Sequence, residues 1–285
     1  MHKARIGAAL LAILAAAALL LVVLWLWRCG IQKASVTVFG TLADADAILL
    51  KEGEHAVLID TGEEAEASKL IDQLSKEGVQ KIDALILTHP DKDHIGGARA
   101  VVQSFPVAQV FVSPYEKGSA LQEGLEKTLS DLGIPVRVPR EAQIVSCGSL
   151  EMTLYPPLDT YEESNDSSLL VYAKHGEVSM LFAGDAEKKR LKEALAIPFG
   201  PVDLYKVAHH GRGGKNAAEF AQKLCPRYAV VTAQNVEESL ARVFSGMGTE
   251  VYVTVPEHTV RFESDGRTLA ALEEEQASQS AGEAA

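Results

Sequence analysis

Residues 88–97 read Thr-His-Pro-Asp-Lys-Asp-His-Ile-Gly-Gly, and they directly follow the apolar run 82–87. Within six residues this segment contains four side chains that commonly bind metals, namely His89, Asp91, Asp93 and His94. The apolar run predicts a buried strand, and a loop at the end of a strand is held by a rigid scaffold. Imidazole and carboxylate are ligands of Zn²⁺, Mn²⁺ and Fe²⁺, so the pattern favours a metal site over a solvated surface loop.

Four other segments complete a set of motifs in a fixed order along the chain. They are Leu-Ile-Asp-Thr-Gly at 58–62, Asn-Asp-Ser-Ser-Leu at 165–169, Leu-Phe-Ala-Gly-Asp at 181–185 and Lys-Val-Ala-His-His-Gly at 206–211. Together with residues 88–97, they resemble the motifs of the metallo-β-lactamase superfamily. The first motif of that superfamily usually has a histidine where this chain has Asp91. That substitution makes the chain similar to the ComEC-type metallo-β-lactamase domain, over about residues 35–265.

The resemblance implies an α/β fold, the four-layer αβ/βα sandwich, with two divalent metal ions (Zn²⁺ or Mn²⁺) along one edge. It also implies six metal ligands: His89, Asp91, Asp93, His94, Asp185 and His209. The first two would hold one ion, the next two and His209 the other, and Asp185 would bridge the ions. The carboxylate of Asp91 favours Mn²⁺ more than an all-histidine site would. The predicted catalytic residues are Asp93, which would orient the nucleophile, and His210, which would transfer a proton or contact substrate.

Several residues near these motifs have more than one interpretation. Alternation along a strand from Val207 favours His209 as the metal ligand, with His210 as the alternative. The third histidine that the superfamily uses for the first ion has no clear counterpart. His175 is interpreted as a solvated residue at a hairpin tip. Asn165 is interpreted as a weak ligand or as a residue that orients substrate.

The N-terminal segment predicts a membrane span. Residues 6–27 contain no charged side chain, and a helix of this length spans about 33 Å, close to the hydrocarbon thickness of a bilayer. Trp25 and Trp27 lie where an interfacial aromatic belt is expected. Residues 1–34 are therefore predicted to be a signal anchor and linker, with the remainder of the chain outside the cell. A cleaved signal peptide, and hence a secreted protein, is the alternative.

Hydrophobic periodicity predicts alternating strands and helices through the hydrolase domain, residues 35–265. The predicted helices are 63–76, 98–104, 120–132, 187–194, 217–224 and 237–244. A strand is predicted at 202–208, and the last two strands, 250–255 and 259–263, are predicted to form a hairpin. Residues 266–285 are predicted to be a C-terminal end with a disordered acidic tail from residue 273.

The charged residues limit the partners of the chain. A net charge of −12 argues against extended binding to a polyanion. Lys206, Arg212 and Lys215 are interpreted either as a local basic rim or as ordinary solvated charges. Arg212 also stands where the ComEC-like branch usually has serine.

Asp60 either supports a metal ligand or forms a turn. The three cysteines are too few for a disulfide framework and are treated as non-ligands.

These features predict a membrane-anchored, extracellular, metal-dependent hydrolase with two metal ions. Its substrate is predicted to be a small or polymeric phosphodiester, in DNA or in the cell wall, with single-stranded DNA as one candidate. The membrane is a partner through the N-terminal helix, and no stable protein partner can be inferred. Two alternatives stay open. One is a hydrolase of a carbonyl ester, lactone or lactam, and the other is a non-catalytic, metal-stabilised binding module at the cell surface.

Overall fold

The computed structural model describes residues 32–42, 44–256 and 258–272, together with the isolated positions 17 and 19. The chain divides by its internal contacts into residues 1–32 and 33–285, and the two sheets belong to the second unit. Apart from the two isolated positions, the predicted membrane helix at 6–27 lies outside the described residues. The predicted disordered tail lies outside them as well. Within the described residues, no helix combines the length and apolar character needed to cross a bilayer.

The described part of the chain contains strands and helices in the following order. The strands are β1 (Ala34–Val38), β2 (Ile48–Glu52), β3 (His55–Ile59), β4 (Ala84–Leu87), β5 (Val110–Val112), β6 (Val136–Arg137), β7 (Gln143–Cys147), β8 (Leu150–Tyr155), β9 (Leu170–His175), β10 (Val178–Phe182), β11 (Leu204–Lys206), β12 (Tyr228–Val231), β13 (Glu250–Val253), β14 (Val260–Ser264) and β15 (Leu269–Leu272). The α-helices are α1 (Ala67–Lys76), α2 (Lys92–Ile95), α3 (Ala98–Ser104), α4 (Ala120–Asp131), α5 (Lys188–Ala194), α6 (Ala217–Leu224) and α7 (Glu238–Met247). Short 3₁₀ turns lie at Glu64–Glu66, Asn165–Ser167 and Ala208–Gly211.

The strands form two sheets. The first has the order β15-β14-β1-β2-β3-β4-β5-β6, and the second has the order β13-β12-β11-β10-β9-β8-β7. Neighbours run parallel from β3 to β6 in the first sheet and from β10 to β13 in the second. The other neighbours run antiparallel. The carboxyl ends of parallel strands share one edge of a sheet, and the motif loops start from these ends.

Alternation along the strands sends side chains into separate cores. In β2, Ile48 and Leu50 pack between the sheets with Met152 and Phe182, whereas Leu49 packs with residues of α1, α3 and α4. The outer face of the second sheet packs in the same way against α5, α6 and α7. The layers are therefore helix, sheet, sheet and helix, which confirms the predicted sandwich.

The C-terminal strands differ from the predicted hairpin. β13 pairs with β12 in the second sheet, whereas β14 pairs with β1 and β15 in the first. The chain turns between Val255 and His258 and then crosses to the other sheet. The predicted hairpin is wrong because periodicity identifies strands, while tertiary packing selects their partners. β15 extends the first sheet beyond residue 265.

Candidate metal centre

The loop after β4 carries most of the predicted ligands. The carbonyl of Thr88 accepts a 2.9 Å hydrogen bond from Leu169 N, which ties this loop to the entry of the second sheet. The short helix α2 follows, and it carries Asp93 and His94. Glycines end this helix because it packs closely on the loop after β3. A Cβ at Gly97 would lie 2.5 Å from a backbone oxygen of that loop. The Gly-Gly pair of the motif therefore fixes the position of the ligands.

Four side chains from three loops meet at this edge of the sheets, namely Asp93, His94, Asp185 and His210. One ligand atom of each lies within 4.8 Å of the others, and we call this set the four-ligand group. His94 Nε2 lies 3.2 Å from Asp185 Oδ1, and His210 Nε2 lies 3.2 Å from Asp185 Oδ2. His210 Nε2 also lies 3.4 Å from Asp93 Oδ2. Asp93 is the one member of the group that is partly exposed, since the other three are buried.

Buried ligand atoms without a hydrogen-bond partner are concentrated at this edge. In the described residues, they include His89 Nε2, His94 Nε2, Asp185 Oδ1 and His210 Nε2. A buried polar atom left unpaired costs about 1–3 kcal/mol, so such atoms require an explanation. Imidazole nitrogen and carboxylate oxygen are both donors to divalent cations, and a shared ion would satisfy these atoms together. The residues therefore fit a metal centre.

Asp60 orients His94. Its Oδ2 lies 2.8 Å from His94 Nδ1, and the carboxylate accepts hydrogen bonds from Thr88 N (2.7 Å) and Thr88 Oγ1 (2.6 Å). A buried carboxylate at Nδ1 holds the ring hydrogen there and leaves Nε2 free to bind a metal. Asp60 also has a left-handed backbone, with φ of 56°, directly after β3. It thus supports a ligand and forms the turn, as the two interpretations of this residue proposed separately.

A buried polar network contacts His210 at Nδ1, on the side of the ring away from the four-ligand group. Its Nδ1 lies 2.9 Å from Thr232 Oγ1 and 3.4 Å from Asp46 Oδ1, and the Thr232 hydroxyl donates to Asp46 over 2.7 Å. Lys206 forms an ion pair with Asp46, and both side chains are buried. Burial alone would raise the pKa of Asp46, but Lys206, His210 and His94 together hold it well below its ordinary value. The interpretation of Lys206 as part of a solvated or basic rim is wrong because this network encloses it.

The two adjacent histidines point to different partners. β11 ends at Lys206, and His209 and His210 both have left-handed backbones, with φ of 47° and 52°. Strand alternation does not reach them, so it cannot decide which of the two histidines binds a metal. His210 enters the four-ligand group, whereas His209 Nδ1 pairs with Glu187 Oε1 at 2.8 Å and its Nε2 stays 3.9 Å from Asp185 Oδ2. Such backbone strain costs about 1–3 kcal/mol per residue and is concentrated at functional sites.

His89 and Asp91, which we call the flanking pair, lie beside the four-ligand group and outside it. The ring centroid of His89 lies 4.0 Å from that of His94. Burial lowers the pKa of His89 to about 3, so its imidazole is neutral, as a metal ligand must be. Asp91 instead pairs with Lys117, whose Nζ lies 2.9 Å from Oδ1. The structure thus assembles one predicted metal position and leaves the other without a compact ligand set.

Protonation in the four-ligand group is set by its mixture of histidines and carboxylates. Burial alone would raise the pKa of Asp185, but His94 and His210 hold it well below its ordinary value. Burial alone would lower the pKa of His210, but Asp185 and the neighbouring carboxylates raise it to about 10. Asp185 and Asp60 likewise raise the pKa of His94. The histidines therefore carry protons in the metal-free protein, and a cation must displace them.

Of the two residues near the expected place of a third ligand for the first ion, Asn165 lines an open cavity together with Asp91, whereas His175 does not. His175 is buried at the end of β9, with its Nδ1 2.7 Å from Ser264 Oγ. Its interpretation as a solvated residue is wrong because packing between strand ends encloses it. Asn165 donates a 3.3 Å hydrogen bond to Glu187 Oε1, the same oxygen that pairs with His209. Neither residue belongs to the four-ligand group.

The model of the Metallo-beta-lactamase superfamily matches residues 40–232 of this chain. The chain belongs to the metallo-β-lactamase superfamily. The family predicted from the motifs is thereby confirmed, together with its two-sheet sandwich fold. Members of this superfamily are usually metal-dependent hydrolases, which agrees with the ligand atoms gathered in the four-ligand group.

Relatives in this superfamily confirm the resemblance to the ComEC type. ComE operon protein 3 of Bacillus subtilis is 32% identical over 171 residues, which cover 58% of this chain and 21% of that protein. Competence protein ComA of Neisseria gonorrhoeae is 24% identical over 207 residues, covering 71% of this chain and 27% of that protein. Recombination protein 2 of Haemophilus influenzae is 23% identical over 193 residues, which cover 66% of this chain and 23% of that protein. The chain therefore spans only about a quarter of the length of these relatives.

Solved structures share the metallo-β-lactamase fold. YhfI from Bacillus subtilis has a TM-score of 0.57 and 16% identity, with 81% of this chain and 100% of that chain covered. CmlA from Streptomyces venezuelae, a diiron β-hydroxylase, has a TM-score of 0.53 and 16% identity, with 85% of this chain and 54% of that chain covered. At these identities the likeness shows the fold alone.

Several residues that surround the metallo-β-lactamase centre carry no sequence motif that would have identified them. Glu187, Thr232 and Lys117 each come from a loop or strand end without a recognisable pattern. Asp46 is different, because it stands between two alanines directly before the apolar strand β2. An acidic residue in such an apolar setting is expected to be buried and paired, which was a usable signal.

Proposed function

We propose that this chain is a metal-dependent phosphodiesterase that residues 6–27 anchor in the membrane, with its hydrolase domain outside the cell. The observation that carries the hydrolase is the four-ligand group with its unpaired buried ligand atoms. The phosphodiester specificity is supported by the similarity of Asp91 and of segment 206–211 to the ComEC type. It is also supported by relatives named for competence and recombination. The apolar composition of residues 6–27 supports the anchor.

We assign the following roles to the residues of the centre. Asp93, His94, Asp185 and His210 would hold one divalent ion, and the flanking pair with Asp185 would hold a second. When bound, such ions activate water and stabilise negative charge on phosphoryl oxygens. Asp93, whose side chain is 24% exposed and therefore accessible from solvent, would orient the attacking water. Asp60 and Asp46 would keep the two ligand histidines in place.

His209 would take the proton-transfer role that the sequence suggested for His210. Burial lowers the pKa of His209, although Asp185 and Glu187 oppose this shift, and the lowered pKa favours the neutral ring. Its Nδ1 is held by Glu187, and its Nε2 lies 3.3 Å from Arg212 Nη1 at the protein surface. A neutral, oriented imidazole is suited to general acid–base catalysis. The Arg212 guanidinium is suited to phosphoryl oxygens.

Metal content and hydrolysis of bis(p-nitrophenyl) phosphate by the purified full chain test this proposal. Turnover is expected with Zn²⁺ or Mn²⁺, and its loss is expected in Asp185→Asn. Asp131→Asn is the matched control because Asp131 is exposed at the end of α4 and outside the centre. Hydrolysis of p-nitrophenyl acetate or a lactam by the metal-loaded chain, without cleavage of the diester, would contradict the phosphodiesterase and favour a carbonyl substrate.

The proposed topology has its own test. Cys225 is exposed in the domain, whereas Cys147 is buried. In a Cys29→Ala variant, a membrane-impermeant maleimide added to intact cells is expected to label Cys225. Labelling that occurs only after lysis would contradict an extracellular domain.

A non-catalytic, metal-stabilised binding module is the second candidate. The pairing of Asp91 with Lys117 favours it, because the first metal position then lacks one of its predicted ligands. This module predicts one bound ion per chain and no turnover of the diester in any metal. Two ions with turnover would exclude it.

A further inference from the structure

An apolar chamber opens next to the centre, on the side of the flanking pair. It has a volume of about 280 Å³ and lies between α4 and the carboxyl ends of β4, β5 and β6. His89 and Pro90 form the wall towards the metal centre, and Leu125 of α4 forms part of the opposite wall. The volume is close to the lower limit of small-molecule sites, about 300 Å³.

The chamber offers an apolar surface for a ligand. Val136 and Val138 at its rim are 45% and 41% exposed, although valine is usually buried. Two of its polar side chains are already occupied within the protein. Ser113 Oγ donates to Ser167 O over 2.6 Å, and Gln122 Oε1 accepts from Lys117 N over 2.9 Å. Glu116, Glu126 and Arg140 also line the chamber, but apolar side chains supply most of its surface, which favours an apolar ligand.

A second, open cavity of about 620 Å³ borders Asp91 of the flanking pair. Its lining is polar and charged, and it includes Asp91, Lys117, Asn165 and Lys188. Tyr115 lines both cavities. The two members of the flanking pair therefore face different surroundings, since His89 lines the apolar chamber and Asp91 lines the polar cavity.

We propose that the apolar chamber binds one arm of the phosphodiester substrate, an aromatic or alkyl group. The other, polar arm lies in the open cavity beside Lys117. This inference rests on the proposed phosphodiesterase, because it places the phosphoryl group at the metal centre between the two cavities. It adds a substrate class: diesters with one apolar and one polar arm.

Binding of non-hydrolysable phosphonates to the metal-loaded full chain tests the chamber without requiring turnover. Calorimetry would compare methylphosphonate, butylphosphonate and phenylphosphonate. Burial of several carbon atoms is expected to make phenyl- or butylphosphonate bind about tenfold more tightly than methylphosphonate. A preference for phenyl would indicate a flat arm such as a base, and a preference for butyl would indicate a lipid-like chain. Equal affinities for the three probes would overturn the proposal.

Variants at the rim test whether the preference for the larger phosphonates arises in the chamber. Val138→Asp places a charge at the mouth of the chamber and is expected to reduce the preference to about threefold or less, with methylphosphonate affinity unchanged. Val136→Asp is the second rim variant. Ile144→Asp is the matched control, because Ile144 is 62% exposed on β7 away from the chamber. Circular dichroism would confirm that each variant is folded. Equal losses in Val138→Asp and Ile144→Asp would also overturn the proposal.

The two proposals fail in different ways. If the phosphonate preference is present but bis(p-nitrophenyl) phosphate is not cleaved, the phosphodiesterase fails and the chamber stands as a binding site. If the diester is cleaved and the probes bind equally, the chamber fails and the phosphodiesterase stands.

Discussion

Asp93 and His94 of the four-ligand group lie on the same loop as the flanking pair, yet only the four-ligand group is a compact ligand set. Each histidine of the four-ligand group has a buried carboxylate near its Nδ1, Asp60 for His94 and Asp46 for His210. His89 has only the Thr88 hydroxyl at 3.2 Å, and Asp91 is turned towards Lys117. Ligand types in a motif are therefore not sufficient to form a site. The buried groups behind the ligands decide which metal position is formed in advance.

The largest expected effect separates the two adjacent histidines. His210→Ala removes a member of the four-ligand group, so the tightly bound ion and the turnover should both be lost. His209→Ala should keep the ion and lower kcat about 10²–10⁴-fold, because it removes a proton-transfer group. Metal content per chain and kcat measured on the same samples check both expectations. Loss of the ion in His209→Ala, with retention in His210→Ala, would reverse our assignment.

The buried network behind His210 should be costly to break. Lys206→Ala leaves the Asp46 carboxylate buried without its partner, and loss of one member of a buried pair costs about 3–5 kcal/mol. Urea unfolding of the metal-free protein would measure this loss. Lys33→Ala is the control, since Lys33 forms an exposed pair with Glu263 whose removal should cost about 0–1 kcal/mol. The stabilising role of the network is refuted if both variants lose the same stability, or if Lys206→Met with Asp46→Asn is no better than Lys206→Ala.

The two metal positions should respond differently to pH. Asp185 and nearby carboxylates raise the pKa of His210 to about 10 against the effect of burial, and the pKa of His94 is also raised. A cation must displace both protons, so its affinity should rise with pH below the raised pKa values, by up to about 100-fold per pH unit. His89, with a pKa of about 3, releases no proton, and an ion at the flanking pair should depend less on pH.

The same raised pKa of His210 gives a second readout in the metal-free protein. Protonated His210 stabilises the fold at and below about pH 6.5, and this stability is lost as the pH rises towards 10. Metal titrations at several pH values, with unfolding of the metal-free protein, would measure both effects. A pH-independent affinity at the tight position would contradict the raised pKa values.

The sandwich fold and the motif loops could be predicted because the family resemblance that implies them is carried by short, local motifs. The apolar run 82–87 predicts the strand that the structure has at Ala84–Leu87, and the resemblance implies His94 and Asp185 as ligands through short contiguous motifs. The sequence could not predict that His210, rather than His209, joins the four-ligand group, because this depends on left-handed backbone angles after β11. The roles of Asp46 and Lys206 depend on burial between distant segments. The predicted hairpin of the last two strands is wrong for the same reason, because the pairing of strands depends on contacts between distant segments.

The smallest expected effect concerns Lys117. Lys117→Ala frees the Asp91 carboxylate for a metal, and a partly exposed ion pair is worth about 0–1 kcal/mol. The second ion should therefore bind a few-fold more tightly, while the tight ion is unchanged. Zinc titration would measure both affinities. Lys127→Ala, which removes an exposed pair with Asp131, is the control. A weaker second ion in Lys117→Ala would show that this lysine supports the flanking pair rather than competing for it.

The position of the tightly bound ion decides whether the four-ligand group is the metal site formed in advance. Crystals of the chain grown with limiting Zn²⁺ would be measured at the zinc absorption edge, so that anomalous scattering places the metal. We expect one strong peak bound by Asp93, His94, Asp185 and His210, with the His209 ring still paired with Glu187. A peak bound by His209, or a first ion at His89 and Asp91 with the four-ligand group empty, would contradict this assignment.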